Sequence, residues 1–214
     1  MFEFPDYHFV QFAKAPLPGR VKTRLSGVLS ETQCVSLHKA LTRHTAATLL
    51  ASRLCPTELW AGSEPEHPFF KQLSENFGLP LYRQSEGDLG QRLFAAATAV
   101  LSRAKGVILV GSDCPQFDTA YLRRAVTALA SGADAVIGPA RDGGYVLLGL
   151  SRPSPAPFTD IDWGTEKVLR QTCERLDTLA WQYAKLPELA DIDRPEDLRY
   201  LPEAIRLEHG GFNS

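Results

Sequence analysis

The sequence predicts an α/β fold in which a mostly parallel central sheet carries helices on both faces. Three observations lead there. Val107, Ile108, Leu109 and Val110 form an apolar run without polar alternation, the habit of a strand buried on both faces, and Pro115 ends any ladder soon after it. Short strand-like stretches alternate along the chain with longer helix-like ones, the order of βαβ units. With 214 residues, 44% of them hydrophobic and 22% charged, the chain can bury one substantial core, so a single domain spanning 1–214 is expected.

Tyr7 to Ala13 alternates and then turns apolar, which reads as a first strand. Residues 14–25 follow with two prolines and a glycine, which exclude a helix. This loop gathers Lys14, Arg20, Lys22 and Arg24 within eleven residues of an otherwise slightly acidic chain. Directly after a first strand, such a cluster reads as a phosphate cradle in which Gly19 admits a close backbone approach. A solvated basic loop is the plainer reading. Neither Gly-x-x-x-x-Gly-Lys-Ser/Thr nor Gly-x-Gly-x-x-Gly occurs here. Ser30 and Gln33 have capping-box spacing, and Val35, Leu37, Leu41, Leu49 and Leu50 supply the apolar face of a helix running to about Ser52. Thr57 to Ala61 reads as a strand, Phe69 to Phe77 as a helix and Leu81 to Gln84 as a strand. Gly87, Asp88 and Gly90 then lead into an alanine-rich helix ending near Ala104; two glycines at such a junction suit a base-binding or phosphate-binding turn, and capping by Asp88 explains them nearly as well.

The Val107 to Val110 run stops at Gly111-Ser112-Asp113-Cys114-Pro115. Ligands of open α/β sheets sit beyond the carboxyl ends of strands, so Asp113 stands where chemistry is expected, and a divalent cation is its natural partner. Alternatively, Ser112 and Asp113 only close a turn. Asp118 is placed to cap a helix from Thr119 to Ser131, and Ala135 to Gly138 is a further strand. Asp142-Gly143-Gly144 between apolar runs is a hairpin signal, although a plain hairpin requires neither Arg141 nor Asp142. After a proline-rich loop from Ser151 to Pro157, Thr165 is expected to cap a helix to about Leu176, with the Gly164 and Thr165 amides available to an anion. Leu179 to Tyr183 is the last strand candidate. Asp191 and Asp193, one residue apart in extended chain, point to the same side and can share a cation, while Asp193 and Glu196 also fit a cap for the closing helix.

The formal charge of −2, from 25 acidic and 23 basic side chains, argues against a general grip on nucleic acid or an anionic membrane. No segment approaches the ~20 apolar residues that span a bilayer. Cys34, Cys55, Cys114 and Cys173 lie far apart and form no Cys-x-x-Cys pair, so neither a zinc knuckle nor a disulfide framework is indicated. A cytoplasmic protein with reduced thiols, no nucleic-acid partner and no membrane insertion is expected.

Six separated motifs occur in order: the Lys14 to Leu25 loop, Gly87 to Gly90, Gly111 to Pro115, Gly138-Pro139 with Asp142 to Tyr145, Trp163-Gly164-Thr165 and Asp191-Ile192-Asp193. Together they resemble a bacterial family of uncharacterised glycosyltransferase-like proteins in the nucleotide-diphospho-sugar transferase superfamily, with the GT-A fold, similar to the 2-phospho-lactate guanylyltransferases. The resemblance covers nearly the whole chain. It implies that Arg20, Lys22 and Arg24 face nucleotide phosphates, with Lys14, Gly19, Thr23 and Ser112 in the same nucleotide site, and that Gly87, Asp88 and Gly90 lie near the base. It further implies a metal site of Asp113, Asp191 and Asp193 for Mg2+ or Mn2+. Many sugar transferases of this fold carry Asp-x-Asp at the strand end where Pro115 stands here, and Pro115 has no side-chain ligand. The expected activity is metal-dependent nucleotidyl transfer from a nucleoside triphosphate to a small phosphorylated or acidic acceptor. Lys22, Arg24 and Asp113 are then the catalytic residues, and Arg141, Asp142, Gly143, Gly144, Trp163, Gly164 and Thr165 bind the acceptor. Glycosyl transfer from a nucleotide sugar is the alternative, and a nucleotide-binding protein without turnover is a third reading.

Overall fold

Four of the helices begin where the side chain of Ser30, His67, Asp88 or Asp118 accepts one of their first amides. The structure is a computed structural model and describes residues 1–208. Strand β1 (Tyr7–Lys14) leads through the basic loop and a short 3-10 turn (Thr23–Leu25) to helix α1 (Glu31–Ser52). Ser30 accepts the Gln33 N–H while the Gln33 side chain accepts the Ser30 N–H, so the expected capping box forms. Then follow β2 (Thr57–Gly62), α2 (Pro68–Phe77), β3 (Leu81–Arg83) and α3 (Leu89–Leu101), whose first turn Asp88 and Gln91 cap in the same reciprocal way. The chain continues with β4 (Gly106–Val110), α4 (Thr119–Ala130) capped by Asp118, β5 (Ala135–Pro139), β6 (Tyr145–Leu150), α5 (Val168–Thr178), β7 (Tyr183–Lys185) and α6 (Glu203–Glu208).

The strands form one seven-stranded sheet in the order β3-β2-β1-β4-β6-β5-β7. Pairing is parallel except where β6 runs antiparallel to β4 and β5. Alternate residues of β1 divide the core. Phe9 joins Ile108, Val110, Leu122 and Val126 on the α1 and α4 side; Val10 joins Leu93, Val107, Leu109 and Leu176 on the α3 and α5 side. Gln11 is fully buried in the middle of β1, donating to Thr42 O (2.9 Å) and Ser112 Oγ (3.0 Å) and so tying β1 to α1 and to the end of β4.

Helix α3 stops at Leu101, short of the expected Ala104, and three further elements differ from the sequence expectations. Helix α5 starts at Val168 with Lys167 at its N-cap position, so Thr165 does not cap it; the Thr165 hydroxyl instead donates to Asp162 O (2.8 Å) and accepts the Lys167 N–H, holding a turn. The last strand is Tyr183–Lys185 rather than Leu179 to Tyr183, because α5 runs to Thr178 and closes with Ala180 in a left-handed conformation and Trp181 N–H on Leu176 O. The closing helix is broken into a 3-10 segment, Pro195–Tyr200, and α6, and its start is held by Asp197, which accepts the N–H groups of Asp193 and Arg194. The Asp193 carboxylate, expected as a cap, is engaged elsewhere. Among the described residues no helix is long and apolar enough to cross a membrane.

Candidate active site

The strand order reverses direction between β1 and β4, and the crevice at their carboxyl ends is where an open α/β sheet binds ligands. Both strands deliver their chemistry there. Gly111 N–H is held by Val146 O (3.2 Å) and Ser112 Oγ donates to Phe12 O (2.8 Å), so the turn after β4 is fixed to its two neighbours and presents Asp113. Ile192 then bolts the C-terminal segment to this turn: its N–H donates to Asp113 O (2.9 Å), its side chain is buried, and its carbonyl accepts from Lys22 Nζ (2.5 Å). With Ile192 pointing inward, Asp191 and Asp193 both face the cleft, as the one-residue spacing predicts.

Lys22 is the hinge of the site. It adopts a left-handed conformation (φ 52°), its side chain is only 3% exposed, and its ammonium pairs with Asp113 Oδ1 at 2.6 Å. The sequence reading of a solvated cation does not hold for this residue; an ammonium placed in the interior needs a counter-charge, and Asp113 supplies it. The other half of Asp113 faces the cleft, the side chain being 47% exposed. Burial works to raise its pKa, but Lys22 and then His38, whose Nδ1 lies 3.8 Å away, outweigh that and hold it well below the usual carboxylate range. His38, on α1 with its Nε2 on Lys14 O (3.0 Å), has no motif around it; a polar side chain on the buried face of an amphipathic helix was its one signal in the sequence. Arg24 pairs with Asp193 and donates to Gly164 O (3.3 Å), bridging the basic loop to the Trp163-Gly164-Thr165 turn.

The cleft has three lobes that meet at Gly164 and Asp193, and Asp113 lines two of them, the basic and the apolar. A basic lobe of about 300 Å³ is lined by Lys14, Arg20, Lys22, Thr23, Arg24 and His38. An apolar lobe of about 330 Å³ lies under Phe12, Leu89, Leu93, Tyr145, Val146 and Trp163, with Tyr145 and Trp163 packed edge to face at 6.3 Å. A larger polar lobe, about 560 Å³, is lined by Arg24, Arg141, Asp142, Gly164, Thr165, Glu166, Asp191, Asp193, Arg194, Glu196 and Asp197. Asp142, its Oδ1 accepting the Gly144 N–H (2.8 Å), stands between the apolar and polar lobes. Phe12, Leu93, His38, Glu166, Arg194 and Asp197 are site residues that sequence motifs did not single out, and Glu196, expected only as part of a helix cap, lines the polar lobe.

Some expected site residues act from behind the cleft. Ser112 is buried against β1. Gly90 is pressed so closely on Phe158 O and the Trp163 ring that a Cβ would lie 2.4 Å from the former and 2.9 Å from the latter, so it seats the wall of the apolar lobe. Gly87 and Asp88 form the α3 cap, and from that turn only Leu89 lines the lobe. Gly143 (φ 85°) does the same service on the opposite wall, where a Cβ would fall 2.3 Å from Glu166 O. Gly19 (φ 68°) turns the basic loop and lines a small cavity behind it with Cys34.

The Asp191 carboxyl is perturbed in the opposite direction to that of Asp113. Burial first, then the charges of Asp142, Asp113 and Asp193, push it up to about 7. Among the described residues no three His, Cys, Asp or Glu side chains stand together as a ready cage for a metal ion, and Lys22 and Arg24 engage Asp113 and Asp193. The donors are nevertheless all hard oxygens, the kind that Mg2+ and Mn2+ take, and their mutual repulsion at Asp191 is what a divalent cation would relieve.

A family model described as an uncharacterized protein conserved in bacteria (DUF2064) matches residues 45–165. Among solved structures, a proposed nucleotide-diphospho-sugar transferase from Desulfovibrio desulfuricans is 27% identical with a TM-score of 0.81, over 94% of this chain and 88% of that one. A 4-diphosphocytidyl-2C-methyl-D-erythritol synthase from Anaerococcus prevotii (TM-score 0.60, 11% identity, 92% and 96% covered) has the same fold. So does a Mycobacterium tuberculosis protein solved in complex with manganese (TM-score 0.54, 19% identity, 92% and 98% covered). No curated protein matches the chain.

Proposed function

The chain belongs to the DUF2064 family, and from the geometry of its cleft we propose that it is a metal-dependent nucleotidyltransferase acting on a nucleoside triphosphate and a small acceptor. The observation that carries this reading is the basic lobe: Lys14, Arg20, Lys22 and Arg24 line one cavity that opens directly onto Asp113. Lys14 and Arg20 carry no ion pair among the described residues and are open to phosphate oxygens, while Lys22 and Arg24, held by Asp113 and Asp193, add positive charge at the edge of the lobe. The base lies in the apolar lobe, between Phe12, Leu89 and Trp163, and the acceptor in the polar lobe beyond Asp142.

In this reaction an acceptor hydroxyl attacks the α-phosphorus, the bond to the bridging oxygen of the β-phosphate breaks, and pyrophosphate leaves into the basic lobe. The hydroxyl proton passes to a carboxylate of the polar lobe, where Asp142 stands at the junction. Lys22 and Arg24 are held by Asp113, Ile192, Asp193 and Gly164, so their charges are already oriented when the leaving group becomes more negative. Asp113, Asp191 and Asp193 would hold Mg2+ or Mn2+, which supplies further neutralisation of phosphate oxygens when bound. Glycosyl transfer is the second reading, favoured by the likeness to the Desulfovibrio protein.

The test is product identity. Incubation with Mg2+, each of the four common nucleoside triphosphates and a panel of small acceptors is expected to release pyrophosphate, and Asp113→Asn to abolish release while the protein stays folded. Release of nucleoside diphosphate from a nucleotide sugar, with no pyrophosphate from any triphosphate, would establish the glycosyl reading instead.

A further inference from the structure

We infer that the acceptor taken by the polar lobe is a neutral polyhydroxylated or amino-bearing molecule, and not the phosphorylated or acidic one expected from the sequence. This rests on the reading that the polar lobe is the acceptor's side of the cleft. The lobe is lined by six carboxylates and three guanidinium groups. Two of those guanidiniums are committed, Arg24 to Asp193 and Gly164 O and Arg141 to the Tyr200 hydroxyl and Glu188; the third, Arg194, is exposed without an ion pair among the described residues and is outnumbered by the carboxylates around it. Glu166 and Glu196, by contrast, make no hydrogen bond or ion pair among the described residues and lie exposed on the lobe wall. A phosphate or carboxylate entering here would meet an excess of like charge, and one divalent cation at Asp113, Asp191 and Asp193 would reduce that excess without reversing it.

Carboxylates without partners accept hydrogen bonds from O–H and N–H groups, which a polyol or a primary amine offers and a phosphate oxygen does not. The lobe's 560 Å³ is room for a molecule of monosaccharide size and more. The basic lobe lies on the other side of Asp193 with the opposite charge. Two lobes of opposite sign sharing one edge sort the two substrates: the triphosphate tail is drawn to Lys14 and Arg20 and repelled from the acceptor's side, so neither substrate occupies the other's place.

The test uses matched pairs differing by one phosphate, glycerol with glycerol 3-phosphate and glucose with glucose 1-phosphate, with glucosamine as the amino member. Binding to the full chain is followed by saturation-transfer NMR in Mg2+, with and without a non-hydrolysable nucleoside triphosphate. In the wild type the neutral or amino member is expected to bind at least ten-fold more tightly than its phosphorylated partner. The Glu166→Lys, Glu196→Lys double variant, which changes two exposed residues outside the proposed catalytic machinery, is expected to invert that order. A phosphorylated member that binds the wild type as well as its parent, a ratio unmoved in the double variant, or no binding by either member of any pair would each overturn the inference. Nucleotide binding is measured separately by titration of the triphosphate alone; its failure would remove the nucleotidyl reading and leave the charge selection of the lobe as measured.

Discussion

Lys22 Nζ lies 2.6 Å from Asp113 Oδ1, joining a left-handed residue of the loop after β1 to the turn after β4. The pair closes the sheet's switch point with two charges that belong to the site. Removing one partner leaves the other charge inside the protein without compensation. Lys22→Met is therefore expected to cost about 1 to 3 kcal/mol in urea unfolding at pH 7, the lower end reflecting the half-exposed carboxylate of Asp113. Adding Asp113→Asn should return most of that loss, and a strictly additive double-mutant cycle would show that the pair does not couple.

A second charged node lies at the opposite end of the sheet, where Glu58 accepts from His8 and Arg103 (both 2.7 Å) and from the Trp60 indole (3.0 Å) with its side chain 3% exposed. Burial works to raise this carboxyl's pKa, and the hydrogen bonds from His8, Trp60 and Arg103 outweigh it, so the folded-state value lies below the ordinary one. A depressed carboxyl contributes stability that is present above the unfolded-state value and is lost as pH falls through the folded one. Thermal melts between pH 7 and pH 3 should thus show a steeper acid loss for the wild type than for Glu58→Gln. Parallel curves would mean that the node contributes nothing to acid sensitivity.

Asp191 has the opposite sign. Its pKa is raised to about 7, so the stability it allows is fully present below the ordinary carboxylate range and declines as pH rises toward 7, where the ionised carboxylate meets Asp142, Asp113 and Asp193. Without added metal at pH 8, Asp191→Asn should melt higher than the wild type. Saturating Mg2+ should raise the wild-type midpoint, by about 2.7 kcal/mol of added stability at one hundred times its dissociation constant, and raise the variant's less. An equal response in both proteins would take Asp191 out of the metal site.

Gly143 is the packing prediction. Its φ of 85° and the 2.3 Å that would separate a Cβ from Glu166 O leave no room for a side chain, and the obstructing atoms all belong to the Glu166 backbone. Gly143→Ala should cost about 2 to 4 kcal/mol in denaturant unfolding. Wild-type stability in that variant would show that the two loops walling the cleft are not packed on each other.

Much of this protein was determined by local pattern. The unalternated run Val107–Val110, the capping pairs Ser30 with Gln33 and Asp88 with Gln91, and the Asp142-Gly143-Gly144 turn act over a few residues, so their spacing predicts β4, α1, α3 and the β5–β6 hairpin directly. The one-residue spacing of Asp191 and Asp193 likewise placed both at the cleft. Only the tertiary structure decided what each charge does. Lys22 reads as a surface cation until Asp113 and Ile192 O, 91 and 170 residues away, are seen to surround it. Asp193 reads as a helix cap until Arg24 claims it and Asp197 takes over the capping. Ser112 and Gly90 read as ligand contacts and turn out to seat the walls. The division has a physical cause: periodicity and capping are settled by neighbours in sequence, whereas the state of a charge depends on the summed field and desolvation from groups that folding alone brings together.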